Sequence, residues 1–70
     1  MPPASKRRQI ADDIASRIRD GRLKSGDQLP TTPAMMATYG VSIITVRNAI
    51  SDLKLLGLVE SAPGLGTFVK

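Results

Sequence analysis

The sequence contains no cysteine, histidine or tryptophan, and only one tyrosine and one phenylalanine. Without cysteine there is no disulfide framework, and without cysteine and histidine together a structural zinc site is not expected. So few aromatic rings cannot form a platform on which single-stranded bases stack. The carboxylates are scattered over predicted helix surfaces and turns, so no nucleophile stands beside a base. The sequence therefore predicts no enzyme, no metal and no cofactor.

The sequence also lacks long apolar runs and has few acidic residues. No run approaches the roughly 20 apolar residues of a membrane span, and the N-terminus MPPASKRRQ has no apolar signal core. We therefore expect no membrane partner and a cytoplasmic location. The 10 Lys+Arg residues outnumber the 6 Asp+Glu residues, which gives a net charge of +4. This balance favours binding to nucleic acid over catalysis.

The first part of the chain divides into a polar arm and an amphipathic helix. Residues 1–8 hold two prolines and a run of three cations. This composition predicts a disordered basic arm, which is either solvated or laid along phosphates or into a groove. Residues 9–70 are predicted to form one folded domain. Within it, isoleucines recur every four residues over 9–20, which predicts a helix with one apolar face.

Two further helices are predicted from their end signals. The second begins near Thr31 or Thr32, with Pro33 in its first turn, and ends at Gly40. The third begins at Ser42, which is a good N-cap, and runs to residue 56. Its buried face is predicted from helical spacing to consist of Val46, Ala49, Ile50, Leu53 and Leu56. The tight connection between these two helices predicts a helix-turn-helix.

The last segment predicts a β-hairpin. Residues 58–61 (LVES) and 66–69 (GTFV) have strand character and flank the turn sequence APGLG. Upstream, Leu29 predicts a short extended piece, because Pro30 disfavours helical geometry in the residue before it. A two-stranded hairpin is not stable alone in water, so it must pack against the helices. Three helices followed by a hairpin define an α+β fold, the winged helix-turn-helix.

Three stretches in this order resemble the DNA-binding domain of the GntR family of bacterial regulators: DGRLKSGDQLPT, YGVSIITVRNAISDLKLLGLVE and GLGTFV. The resemblance covers residues 9–69. It implies a bacterial, nucleoid-associated regulator that binds a palindromic double-stranded operator, as a repressor. Family members usually carry a C-terminal domain that binds a small effector and helps dimerisation. The chain ends at Lys70, so an effector is expected only if such a domain exists, and homodimerisation on DNA is expected of the full-length protein.

This sequence departs from the family pattern at three positions. Pro33 stands in the first turn of the second helix, where the family commonly has an arginine that reaches the DNA. Ile43, directly after the helix cap, and Leu65, between the wing glycines, also stand where basic residues are common. The placement on DNA follows from the resemblance, but the base preference does not.

A recognition helix over residues 42–56 is expected to enter the major groove with its N-terminal residues towards base edges. Arg47 matches the arginine of the family's TTVR-type motif. It would pair with guanine or phosphate, or else lie solvated or pair with Asp20 or Asp52. The adjacent Ile43 and Ile44 are predicted to point away from the core stripe. They would contact thymine methyls in the major groove, or else make partner contacts or be partly buried.

The other candidate contacts are polar or glycine. Thr45 can bond a phosphate or base edge, and Asn48 could read adenine. The start of the second helix is a candidate phosphate site. The wing glycines either let the backbone approach the duplex, in the minor groove or beside the backbone, or only form the turn. The full set of predicted DNA-binding residues is Thr31, Thr32, Ser42, Ile43, Ile44, Thr45, Arg47, Asn48, Gly64, Gly66 and Thr67.

Two alternatives remain open at this stage. A winged helix can serve as a protein-interaction or dimerisation module without touching DNA, and the missing arginines favour that interpretation. A small standalone regulator, such as a plasmid transfer repressor or a recombination directionality factor, would share the DNA chemistry. Salt-dependent binding to duplex DNA separates the interaction module from the other two.

Overall fold

A computed structural model describes residues 5–70 and contains three helices followed by a two-stranded antiparallel sheet. The elements are α1 (Lys6–Arg19), α2 (Thr32–Tyr39), α3 (Ile43–Leu55), β1 (Val59–Ala62) and β2 (Gly66–Val69). This order confirms the predicted winged helix-turn-helix. None of the helices in this part of the chain is long and apolar enough to cross a membrane.

Helix α1 begins earlier than predicted. Its N-cap is Ser5, whose hydroxyl accepts a hydrogen bond from the Arg8 N–H at 3.2 Å. The residues Lys6, Arg7 and Arg8 therefore belong to the helix. The prediction of a disordered arm is wrong for 5–8, and its remainder, 1–4, lies outside the described residues.

Cations in the first turn of a helix are opposed by the helix dipole, and acidic side chains offset them here. The Arg7 guanidinium donates two hydrogen bonds to the Asp52 carboxylate in α3, at 2.7 and 2.6 Å. These bonds hold the pKa of Asp52 below its ordinary value. Arg8 lies 3.7 Å from Asp12, one turn further along α1. Two of the three cations at the start of α1 thereby have an acidic partner, and the Arg7 pair connects α1 to α3.

The core is built around α3, which packs against α1, α2 and β1. Of the predicted inward residues of α3, Leu56 is exposed, whereas the other four are buried: Val46, Ala49, Ile50 and Leu53. Leu56 is the C-cap of α3 and borders a groove beside Arg8 and Asp12 of α1. The only apolar residue that α1 contributes to this groove is Ala11, whose side chain is too short to cover Leu56. Leu56 therefore stays exposed, and its assignment to the core was wrong.

The wing is held by a third extended segment. Strands β1 and β2 pair in antiparallel register, and residues 26–29 lie along the other edge of β2. The Leu29 N–H donates to the Thr67 carbonyl at 2.8 Å, and the Val69 N–H donates to the Asp27 carbonyl at 2.8 Å. The predicted extended piece at Leu29 is confirmed. It gives the hairpin the additional pairing that a two-stranded ribbon needs.

A partly buried hydrogen bond connects α1 to the helix-turn-helix. The Tyr39 hydroxyl in α2 donates to the Asp13 carboxylate in α1 at 2.5 Å. Partial burial, together with this bond, raises the pKa of Tyr39 to about 12. Asp13 also pairs with Arg17 at 3.1 Å. The Tyr39 hydroxyl remains a hydrogen-bond donor to Asp13 well above neutral pH and so connects α2 to α1.

The contrast between Leu53 and Leu56 generates a stability prediction. Leu53 is 0% exposed and Leu56 is 64% exposed, although both lie near the end of α3. We expect Leu53→Ala to lower the free energy of unfolding by about 2–5 kcal/mol, because it leaves a core cavity. We expect Leu56→Ala to change it by less than about 0.5 kcal/mol. Urea denaturation followed by circular dichroism measures both values, and equal losses would contradict the assignment of the core.

Candidate nucleic-acid interface

The N-terminal end of α3 is capped by Ser42. The Ser42 hydroxyl accepts a hydrogen bond from the Thr45 N–H at 3.4 Å and lies 3.3 Å from the Thr45 hydroxyl. Gly40, in the left-handed region at φ 65°, ends α2 just upstream. The chain therefore turns within Gly40 and Val41, and the first residues of α3 project from the domain. Ser42 acts first as a cap, and any contact with DNA would come in addition.

The exposed face of this half-helix is apolar at its start and polar further on. Ile43 is 39% exposed and Ile44 is 66% exposed, as predicted. Arg47 and Asn48 are also exposed. Within residues 5–70 neither of these two side chains makes a hydrogen bond or ion pair. The two polar side chains are therefore not used for bonding inside the described domain.

The two aspartates that could pair with Arg47 are already paired with other arginines. Asp52 pairs with Arg7 at 2.6 Å, and Asp20 pairs with Arg22 at 2.9 Å. The Arg47 guanidinium is therefore available to an external partner.

The start of α2 offers fewer donors than expected. Thr31 is the N-cap, and its hydroxyl accepts a hydrogen bond from the Ala34 N–H at 3.2 Å. Pro33 has no N–H, and the Met35 N–H donates to the Thr31 carbonyl at 2.9 Å. What remains for a phosphate is the Thr32 N–H and the hydroxyls of Thr31 and Thr32. The predicted anion site thus has fewer free N–H donors than the start of a helix usually provides.

The tip of the wing is a tight turn followed by a second glycine. The Leu65 N–H donates to the Ala62 carbonyl at 2.9 Å. Pro63 and Gly64 occupy the middle of the turn, and Gly64 has φ 77°. This arrangement matches the residue preferences of a type II turn, so the positive φ alone accounts for Gly64. Leu65 is 70% exposed at the tip.

Gln28 anchors this tip and was not predicted from the sequence. Its side-chain amide donates to the Leu65 carbonyl at 2.9 Å. A Cβ on Gly66 would come within 2.6 Å of the Gln28 amide nitrogen, and Gly66 also has φ 125°. The positive φ favours glycine at position 66, and a side chain there would displace the end of Gln28 from the Leu65 carbonyl. No local signal marks this pair, because Gln28 and Leu65 are distant in sequence.

The fold brings predicted residues from separate elements together. Thr32 of α2, Arg47 of α3 and Thr67 of β2 line one cleft between the helices and the wing. Thr31 and Gly66 border a neighbouring cleft beside Gln28. Recognition helix, helix start and wing thus present one continuous surface, which defines the winged helix-turn-helix class of domain.

Comparison with known proteins gives the family. Residues 6–69 match the family of bacterial regulatory proteins, gntR family, and the chain belongs to it. It is 49% identical over 63 residues to the mannosyl-D-glycerate transport/metabolism system repressor MngR of Escherichia coli (strain K12), covering 90% of this chain and 26% of the relative. It is 45% identical over 53 residues to the HTH-type transcriptional regulator LutR of Bacillus subtilis (strain 168), covering 76% of this chain and 24% of the relative. The chain thus spans about a quarter of the length of these relatives.

Solved structures share the whole fold. The DNA-binding domain of AraR in complex with operator ORR3 superposes with a TM-score of 0.89 at 37% identity, covering 100% of this chain and 90% of that one. The AraR domain in complex with operator ORE1 gives a TM-score of 0.90 at 40% identity, covering 100% and 83%. The architecture described above is therefore that of a domain seen on operator DNA in AraR.

Proposed function

We propose that this domain binds double-stranded operator DNA sequence-specifically, as the DNA-reading part of a bacterial transcription repressor. The observation that carries the proposal is the exposed start of α3, where Ile43 and Ile44 reach solvent and Arg47 and Asn48 make no hydrogen bond or ion pair within residues 5–70. A recognition helix reads base edges with these N-terminal positions when it lies in the major groove. The similarity to operator-bound AraR and to the repressor MngR supports the same use.

The wing and the start of α2 complete the proposed contact. With α3 in the major groove, the tip around Gly64 and Gly66 lies beside the backbone or in the adjacent minor groove. The Thr31 and Thr32 hydroxyls then face a phosphate, and such contacts set the register of the protein on the duplex. We propose that two copies bind a palindromic operator, with dimerisation supplied by the full-length protein. Binding to the chromosome would place the protein at the nucleoid.

Salt dependence is the first test of this function. If the domain neutralises about four to six phosphates, log K falls with log salt at a slope of about −4 to −5. Fluorescence anisotropy with a labelled mixed-sequence duplex measures this slope, and selection from random duplexes then yields the preferred site. A flat salt response would remove the DNA assignment and leave the protein-interaction module as the function.

Arg47 carries the second prediction. We expect Arg47→Ala to weaken binding to the selected site by about 1–3 kcal/mol, because a bidentate contact is lost. The melting temperature of the Arg47→Ala protein should equal that of the wild type, since the Arg47 side chain is exposed and unpaired within the domain. Arg19→Ala, which removes the same charge from the far end of α1, serves as the control and should retain specificity. An Arg47→Ala protein that binds normally, or that melts early, would show the assigned role to be wrong.

The exposed isoleucines carry the third prediction. The apolar partner available in a major groove is the C5 methyl of thymine, which uracil lacks. We expect deoxyuridine at one or two thymines of the selected site to weaken binding about fourfold, the value of roughly 0.8 kcal/mol for one buried carbon. Other positions should be insensitive. The double variant Ile43→Ala/Ile44→Ala should lose this sensitivity, whereas an unchanged pattern would assign the isoleucines to another contact.

A further inference from the structure

The polar surface between α3 and the wing begins at Arg47 and extends along α3 beyond the proposed base-reading residues. It is a cleft of about 350 Å³. Apart from one apolar residue, Ile50, its lining consists of hydroxyls and cations: Thr32, Arg47, Ser51, Lys54, Ser61 and Thr67. No carboxylate lines it. Ser51, Lys54 and Ser61 are outside the set of DNA contacts predicted from the sequence.

The two walls of the cleft follow from helix and strand geometry. Arg47, Ser51 and Lys54 are spaced i, i+4 and i+7, so they lie along one face of α3. On the wing, Ser61 and Thr67 are cross-strand partners, as are the buried Val59 and Val69 nearer the base. Alternate residues of a strand share a face. The inner face of the wing is therefore apolar at its base and carries hydroxyls towards its tip, opposite α3.

The cations of the cleft have no counter-charge inside the domain. Four aspartates are paired with arginines elsewhere: Asp12 with Arg8, Asp13 with Arg17, Asp20 with Arg22 and Asp52 with Arg7. Of the remaining acids, Asp27 accepts a hydrogen bond from the Lys24 N–H, and Glu60 lies on the opposite face of the wing from Ser61. Within residues 5–70, neither Arg47 nor Lys54 forms an ion pair.

We propose that this cleft holds one phosphate of the DNA backbone, bound by the Lys54 ammonium and by the hydroxyls of Ser51 and Ser61. The proposal rests on the proposed function. If α3 lies in the major groove and the wing reaches past the adjoining backbone, the strand that separates them must pass between α3 and the wing. With Arg47 directed to a base in the proposed function, the unpaired Lys54 and four hydroxyls without an acid suit a phosphodiester. Such a contact would fix the angle between the recognition helix and the wing.

The test compares two variants that remove the same charge. Lys54→Gln removes the cation from the cleft, and Lys70→Gln removes one at the opposite end of β2 from the wing tip. On the selected duplex we expect Lys54→Gln to bind about tenfold more weakly at 0.1 M salt and to reduce the salt slope by about 1. We expect Lys70→Gln to keep both values close to those of the wild type. Circular dichroism melting confirms that both variants are folded.

A methylphosphonate scan of the duplex identifies the phosphate itself. Each substitution neutralises one phosphate, and the wild type should lose affinity at several positions. Lys54→Gln should be insensitive at one of these positions and respond like the wild type at the others. Ser51→Ala and Ser61→Ala should each reduce the loss at that same position. A profile of Lys54→Gln identical to that of the wild type would overturn the proposal while leaving DNA binding intact.

A second arm separates DNA phosphate from free phosphate. In NMR titrations, the selected duplex should shift the amide signals of Ser51, Lys54 and Ser61 at stoichiometric concentration. Inorganic phosphate at the same concentration should leave them unchanged. Saturable binding of inorganic phosphate, with no shift caused by the duplex, would make the cleft an anion site unrelated to DNA. A wild type that binds no duplex would refute the proposed function and the backbone-phosphate site together.

Discussion

The packing of one side of α3 is the constraint on which the rest of the domain depends. Val46, Ala49, Ile50 and Leu53 form a buried stripe that meets α1, α2 and β1. Because the other helices and the wing are placed against this stripe, the opposite face of α3 must remain outside. A helix of 13 residues therefore organises the core and at the same time presents the surface offered to DNA. Loss of packing would displace the interface as well as lower stability.

The distribution of charge follows the same division. Acidic side chains are used on the side of α1, where they neutralise Arg7, Arg8 and Arg17, whereas Arg47 and Lys54 have none. The cations that contribute to the net charge of +4 therefore differ in whether an acidic side chain offsets them. Within residues 5–70, Lys6 and Arg19 of α1 are unpaired as well, but Arg47 and Lys54 share one cleft that no carboxylate lines. The potential in this cleft is therefore positive, where a polyanion would approach.

Much of this architecture could be predicted because the local signals agree with the tertiary structure. The caps Thr31 and Ser42, the left-handed Gly40 and the helical spacing of the α3 stripe each identify an element from a few neighbouring residues. The errors arose where local signals disagree or distant contacts decide. Helix α1 begins at the local cap Ser5, which the basic composition outweighed in the prediction, and Asp52, far along the chain, offsets the charge of Arg7. Leu56 has helical spacing typical of a core residue, but its exposure depends on which side chains of α1 happen to face it.

The interface could be predicted only in part, for the same reason. The exposure of Ile43, Ile44 and Arg47 follows from the 3.6-residue period of one helix, so it could be predicted from the sequence alone. The anchor between Gln28 and Leu65, and the cleft that joins Lys54 to Ser61, each connect segments that no local pattern relates. Such features depend on how the wing packs against α3, and they became visible only in three dimensions.

Ile43 and Leu65 are apolar at positions where basic residues are common in the family. This difference changes how much of the binding energy would come from phosphate contacts and how much from contacts with particular bases. An arginine at position 43 or 65 would add counterion release, which is independent of sequence. An exposed isoleucine or leucine adds none, and it gains energy only where the duplex presents an apolar group. Binding by this domain would then depend less on the number of phosphates neutralised and more on thymine methyls and on a few well-placed cations. The family resemblance therefore carries over the fold on which an operator is read, but not the base preference of this chain.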